Sequence, residues 1–150
     1  MRMPSFLKML IALLVLLSTQ VFAAQDFLPP EKAFRVEATW LDNSNQIEVE
    51  FIPAKGYYIY QESLKFDVGT EASKLYKISP VLPLGIEKFD ETFQKKLQVY
   101  KQSFMVLLTV KPVTGKPIHA EVTLQGCAEA GICYPPMTLK FLLAGPGVKA

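Results

Sequence analysis

Gln125-Gly126-Cys127-Ala128-Glu129-Ala130-Gly131-Ile132-Cys133-Tyr134-Pro135-Pro136 contains the only two cysteines of this 150-residue chain. Five residues separate them, one of them Gly131, and two prolines follow after Tyr134. Bridged cysteines need Cα atoms roughly 4.4–6.8 Å apart, whereas six steps of extended strand would separate them by about 20 Å. A bridge therefore requires the chain to double back between Cys127 and Cys133, and Gly131 supplies the backbone freedom for that reversal. A ring of about seven residues restricts the unfolded chain only modestly, by about 2 to 2.5 kcal/mol on the loop-entropy estimate. A staple that holds a sandwich together would join distant strands. A short ring at a tight reversal tends to be exposed and more easily reduced. The residues leave two alternatives open: a minor local staple or a working redox couple.

Outward from this stretch the pattern is of strands. Ala120, Val122 and Leu124 alternate with His119, Glu121 and Thr123 and run straight into Cys127; Thr138 to Leu143 leads away as a last strand. Phe34, Val36, Ala38 and Trp40 alternate with Arg35, Glu37 and Thr39. The turn cluster Asp42–Asn45 then joins them to Ile47, Val49 and Phe51 as a hairpin. Pro53–Gly56 breaks the pattern before Tyr57-Tyr58-Ile59-Tyr60, and Leu64, Phe66 and Val68 mark another strand. Ser79 to Glu91, with Pro80, Pro83 and Gly85, is expected to be loop. Gln98 to Val110, apolar on both faces toward its end, is expected to be a central strand. The entry, Asp26 to Lys32, contains Phe27-Leu28-Pro29-Pro30 and is expected to start extended and non-helical. Helical periodicity is scarce, and seven or so short strands predict an all-β, immunoglobulin-like β-sandwich.

The chain opens with Arg2 and Lys8 around an apolar run from Met9 to Leu17, then Val21-Phe22-Ala23. This has the form of a secretory signal peptide over 1–23, cut after Ala23. The apolar run is short against the roughly 20 residues a spanning helix needs. The expectation is one exported domain over 24–150, in a compartment where disulfides persist, with no membrane insertion after cleavage. The net charge of +2 comes from scattered residues, which argues against nucleic acid as a partner. His119 is the single histidine and shares its strand face with Glu121 and Thr123. With no second histidine and no CxxC, neither a metal site nor a cofactor is expected.

Gln125-Gly126-Cys127 followed by Cys133-Tyr134-Pro135-Pro136 resembles the active-site segment of the N-terminal periplasmic domain of the thiol:disulfide interchange protein DsbD. The entry Phe27-Leu28-Pro29-Pro30-Glu31-Lys32-Ala33-Phe34 resembles the start of that domain. Gly56-Tyr57-Tyr58-Ile59-Tyr60 resembles its Gly-Tyr-Tyr-x-Tyr segment, and Phe89-Asp90-Glu91-Thr92-Phe93-Gln94 its cap loop. The resemblance implies an immunoglobulin-like sandwich, periplasmic localisation and thiol:disulfide oxidoreductase activity of the protein-disulfide reductase type. It implies a reversible Cys127–Cys133 disulfide in which Cys133 makes the mixed disulfide with a partner and Cys127 resolves it. It implies a thioredoxin-like electron donor, and two alternatives stay open: a free-standing domain served by a separate DsbD-like membrane protein, or a truncated piece of a longer chain. The acceptors would be periplasmic disulfide isomerases or cytochrome c maturation thioredoxins.

The resemblance also assigns modulating residues. Tyr58 and Tyr60 alternate on one strand face, so both can point at one site, with rings that shield a sulfur and hydroxyls that hydrogen-bond near it; ordinary aromatic packing is the plainer account. Asp90 and Glu91 match an acidic pair that would raise a thiol pKa; on their own they would be taken as solvated surface charges. The cap aromatic departs from the family pattern. Thr92 follows the acidic pair, Phe93 comes one place later, and the loop lacks its usual glycine. Phe93 is the cap candidate. The competing function is an exported sandwich that binds or assembles, with a purely structural disulfide.

Overall fold

A computed structural model describes residues 26–42, 44–70, 76–111 and 115–145. The expected leader and the tail beyond residue 145 lie outside them. In chain order the elements begin with α1 (Pro30–Ala33), β1 (Phe34–Leu41), β2 (Gln46–Pro53) and β3 (Tyr57–Tyr60). A 3-10 turn (Gln61–Ser63) leads to β4 (Lys65–Thr70), β5 (Tyr76–Ile78), β6 (Ile86–Asp90) and β7 (Lys95–Tyr100). β8 (Phe104–Thr109), β9 (Ile118–Leu124), β10 (Gly126–Ala128) and β11 (Met137–Leu143) complete the elements of the described residues.

The strands form three antiparallel sheets, ordered β1-β2-β8, β11-β9-β4-β5 and β10-β3-β7-β6. The first two pack as a sandwich of the immunoglobulin-like kind. Alternating residues from each close its core. Ile47, Val49 and Phe51 of β2 meet Phe66 of β4 and Val122 and Leu124 of β9, all fully or nearly fully buried. Phe51 meets Phe66 edge-on at 6.1 Å, the offset that aromatic quadrupoles favour.

The third sheet is fed by strands that leave the other two. β9 becomes β10 across the single residue Gln125, β2 becomes β3 across a turn at Gly56 (φ +83°), and β3 becomes β4 across the 3-10 turn. β3 is therefore enclosed on both faces. Tyr57 and Ile59 join the main core, while Tyr58 and Tyr60 face a second cluster with Leu97, Val99 and Cys127. The functional loop is attached to this junction.

Three expectations change. Residues 79–91 are not all loop, because β6 pairs with β7 from Ile86↔Val99 to Asp90↔Lys95. β6 is an edge strand whose side chains are mostly exposed. Its order comes from backbone hydrogen bonds, which leave no apolar alternation in the sequence. Gln98 to Val110 is not one central strand. It turns at the exposed corner Lys101–Ser103 and changes sheets, so β7 and β8 belong to different layers. β8 is an edge strand whose Met105 and Leu107 face solvent, which the apolar run concealed. The entry is extended only to Pro29, because Pro30 opens the single helical turn α1. Proline's fixed φ and missing N–H suit the first helical position.

Candidate functional site: a half-buried disulfide beside a tyrosine–carboxylate pair

Cys127 and Cys133 are joined by a disulfide, with Cα atoms 4.0 Å apart. The chain doubles back as the spacing requires. Gly131 takes φ +105° with open space around it, a backbone conformation that glycine adopts without steric cost. The reversal is closed by backbone hydrogen bonds. Gly131 N–H donates to Ala128 O, Ala128 N–H to Ile132 O and Tyr134 N–H to Gly126 O, at 3.0, 2.7 and 3.0 Å. Glu129 N–H donates to Gly56 O at 2.8 Å, which ties the ring to the start of β3.

The two cysteines lie in different surroundings. Cys127 is part of β10, opposite Tyr58 of β3, and is 0% exposed. Cys133 is exposed. Gly126 is what lets β10 lie so close. A Cβ there would collide with Tyr58 O and with the ring of Phe34.

Tyr60 reaches both sulfurs. Its Oη lies 3.1 Å from Cys127 Sγ and 3.9 Å from Cys133 Sγ, and donates to Asp90 Oδ2 at 2.5 Å. Asp90, the last residue of β6, is 5% exposed. Its other oxygen accepts the N–H groups of Thr92 and Phe93, both at 2.9 Å. This is the side-chain-closed turn that Asp favours. Burial alone would raise the Asp90 pKa. The hydrogen bond from Tyr60, those from Phe93 and Thr92, and nearby Lys88 outweigh it and hold the carboxyl below its ordinary value. The Tyr60 hydroxyl moves the other way. Burial first, then the hydrogen bond to Asp90 and the neighbouring Tyr58, raise its pKa well above that of a free phenol, because an ionised phenol here would be desolvated beside a carboxylate.

The remaining expected residues fall around this pair. Tyr58 is buried edge-on to Tyr60 at 5.5 Å, and Lys88 Nζ lies 5.1 Å from its ring centroid. Glu91 is exposed, so of the acidic pair only Asp90 departs from the surface-charge account. Phe93 is 50% exposed and meets the Tyr60 ring edge-on at 6.1 Å. In this glycine-free turn Gln94 takes φ +53°.

Sequence reasoning passed over Ser63. Its Oγ donates to Tyr60 O (2.7 Å) and accepts from Gln125 N–H (2.8 Å), pinning the end of β3 to the residue where β9 changes sheets. Neither Ser63 nor Lys88 carries a motif that could have marked it. Gln125 and Tyr134 were inside the cysteine motif without an assigned role. Gln125 Nε2 donates to Tyr134 O at 3.1 Å and so spans the ring.

A family model described as "Thiol:disulfide interchange protein DsbD, N-terminal" matches residues 24–145. The DsbD of Ralstonia nicotianae is 38% identical over 90% of this chain, and that of Neisseria meningitidis serogroup A is 39% identical over 92%. The chain spans 22% of the length of either relative. The reduced N-terminal domain of Neisseria meningitidis DsbD superposes with a TM-score of 0.67 at 35% identity, covering 83% of this chain and 94% of that one. The same domain in a complex with the PilB N-terminal domain gives a TM-score of 0.61, covering 79% and 88%. The sandwich, the cysteine loop and the match over residues 24–145 together place this chain in the DsbD N-terminal domain family.

Proposed function

We propose that this domain carries electrons by thiol–disulfide interchange, alternating between the Cys127–Cys133 disulfide and the dithiol. The observation that carries the proposal is the unequal exposure of the pair, with Cys127 buried and Cys133 open. Access decides which sulfur of a disulfide is attacked. A donor thiolate bonds to Cys133 Sγ, the Cys127–Cys133 bond breaks, and Cys127 leaves with the electron pair. The donor's second thiolate then attacks the donor sulfur of the mixed disulfide, forming the donor's own disulfide and releasing Cys133. Two electrons have passed to the pair, and the two protons lost by the donor's thiols end on Cys127 and Cys133. Delivery to an oxidised acceptor reverses the order: Cys133 attacks the acceptor disulfide and Cys127 resolves the mixed species.

In this scheme Asp90 opposes a negative charge on Cys127 through Tyr60, so the reduced pair stays protonated and quiet between encounters. Tyr58 and Tyr60 wall in the buried sulfur, and Phe93, leaning on Tyr60, is the shield that a docking protein displaces. Glu91 adds an exposed carboxylate on the same turn. The donor is thioredoxin-like, and the acceptors are disulfide isomerases or cytochrome c maturation thioredoxins, which makes the domain a module of a protein-disulfide reductase relay. Family membership and the complex of a relative with a PilB domain support a protein partner. The setting is the periplasm, reached by a leader over 1–23, with 24–150 as one domain.

The reduction potential tests this reading. A value of about −270 to −180 mV, between thioredoxin and disulfide isomerase, is expected. A value well below about −300 mV would identify a structural staple and favour an exported binding module instead.

A further inference from the structure

Both backbone polar groups of Leu28 are held by tyrosine hydroxyls. Leu28 N–H donates to Tyr57 Oη at 2.8 Å, and Tyr134 Oη donates to Leu28 O at 2.6 Å. Tyr57 begins β3, beside Tyr58. Tyr134 follows Cys133 directly. Their rings lie 6.2 Å apart, and each meets the buried Phe34 ring edge-on, at 5.9 and 5.3 Å. Tyr134 is also fixed through its backbone, by its N–H to Gly126 O and by Gln125 Nε2 to its carbonyl. The exposed cysteine is thus followed at once by a residue held at its backbone, its ring and its hydroxyl. The hydroxyl contact reaches a segment 106 residues earlier in the chain.

We propose that Tyr134 is a positioning residue for the redox pair. Together with Tyr57 it clamps the peptide of Leu28, and the clamp keeps Cys133 within reach of the buried Cys127. The proposal rests on the thiol–disulfide reading of the site. Closing the disulfide is an intramolecular step whose advantage depends on how closely the two sulfurs are held. β10 fixes Cys127 in a sheet, so the freedom that remains belongs to the Cys133 side of the ring. Holding that side favours the closed disulfide over two thiols and speeds the displacement of a partner from Cys133 by Cys127. The segment before α1 thereby becomes part of the redox site although it carries no reactive group.

Tyr134→Phe tests this by removing one hydroxyl while keeping the ring against Phe34. The equilibrium constant of the Cys127–Cys133 disulfide is measured against dithiothreitol and glutathione buffers for wild type, Tyr134→Phe, Tyr57→Phe and the double variant. Tyr100→Phe serves as the control, since it loses a comparable hydroxyl contact, to Pro83 O at 2.7 Å, that involves neither Leu28 nor the cysteine ring, although its strand β7 lies in the same sheet as β10. Tyr134→Phe should lower the constant about fivefold, the worth of one hydrogen bond, equivalent to a potential about 20 mV more oxidising. Tyr57→Phe should act in the same direction, and the double variant should fall short of the product of the two because both hydroxyls act through Leu28. Tyr100→Phe should leave the constant unchanged. An unchanged constant in Tyr134→Phe, or an equal change in Tyr100→Phe, overturns the proposal. A wild-type potential of a structural staple defeats the carrier reading instead, and the ratio between variants still decides the clamp.

Discussion

The Tyr60 hydroxyl donates a hydrogen bond to Asp90 over 2.5 Å and stands 3.1 Å from the sulfur of Cys127. One side chain thus connects a buried carboxylate to a buried sulfur. Each acidic or reductive perturbation of this pair should have a separable effect.

Asp90 contributes stability only while ionised. Its folded pKa lies below the ordinary value, so its contribution is present above the unfolded value of about 4 and is lost as pH falls through the folded value. Denaturant midpoints measured between about pH 6 and 2 should show this loss in wild type and a shallower one in Asp90→Asn. The reduced form of Asp90→Asn should also react faster with a small disulfide at neutral pH, because the charge that opposes a thiolate is gone. An unchanged rate would separate Asp90 from the redox chemistry.

Tyr60→Phe leaves Asp90 Oδ2 buried without its donor. The expected cost is about 2 kcal/mol at neutral pH. The Asp90 pKa should rise when the bond to its charged form is lost, moving the acid limb of the stability profile to higher pH. A profile that only drops, with no displacement along the pH axis, would mean that the Tyr60 bond does not set the Asp90 ionisation.

Cys127→Ser should trap mixed disulfides through Cys133 with a thioredoxin-fold partner, since the resolving thiol is absent. Non-reducing electrophoresis with the partner's own resolving cysteine replaced reads the result. A trap seen with Cys133→Ser alone would reverse the two roles.

Phe93→Ala should keep stability within about 1 kcal/mol of wild type, because the half-exposed ring has little area to lose. It should speed oxidation of the reduced thiols by a small disulfide if Phe93 has the shielding role proposed for it, since the ring against Tyr60 is removed. Equal oxidation rates would show that Phe93 does not guard the site, and a large drop in melting temperature would make it a core residue.

The glycines of the loop should differ in kind. Gly126→Ala places a methyl into Tyr58 O and the Phe34 ring and should cost about 3 kcal/mol or more, because neither the backbone nor the buried ring can yield. Gly131→Ala meets nothing within 4 Å and should cost about 1 kcal/mol, from its φ of +105° alone. Chemical denaturation of both variants checks the order, and a larger loss at Gly131 would contradict it.

Residues near one another in the chain determined what was legible from sequence. Alternation along β1, β2 and β9 marks half-buried strands because side chains of a strand point to opposite faces at every step. The same rule put Tyr58 and Tyr60 on one face, and the spacing of the cysteines meant that any bridge between them requires a reversal, for which Gly131 offers the backbone freedom. Edge strand β6 left no such trace, and the sheet change at Lys101–Ser103 was hidden by apolar residues on both sides. Only the tertiary structure decided that Asp90 is buried and Glu91 is not, since that depends on Tyr60, 30 residues away. The clamp on Leu28 likewise depends on a tyrosine 106 residues away. Strand periodicity follows from the local backbone, whereas the burial of a charge is set by whichever distant groups the folded chain brings to it.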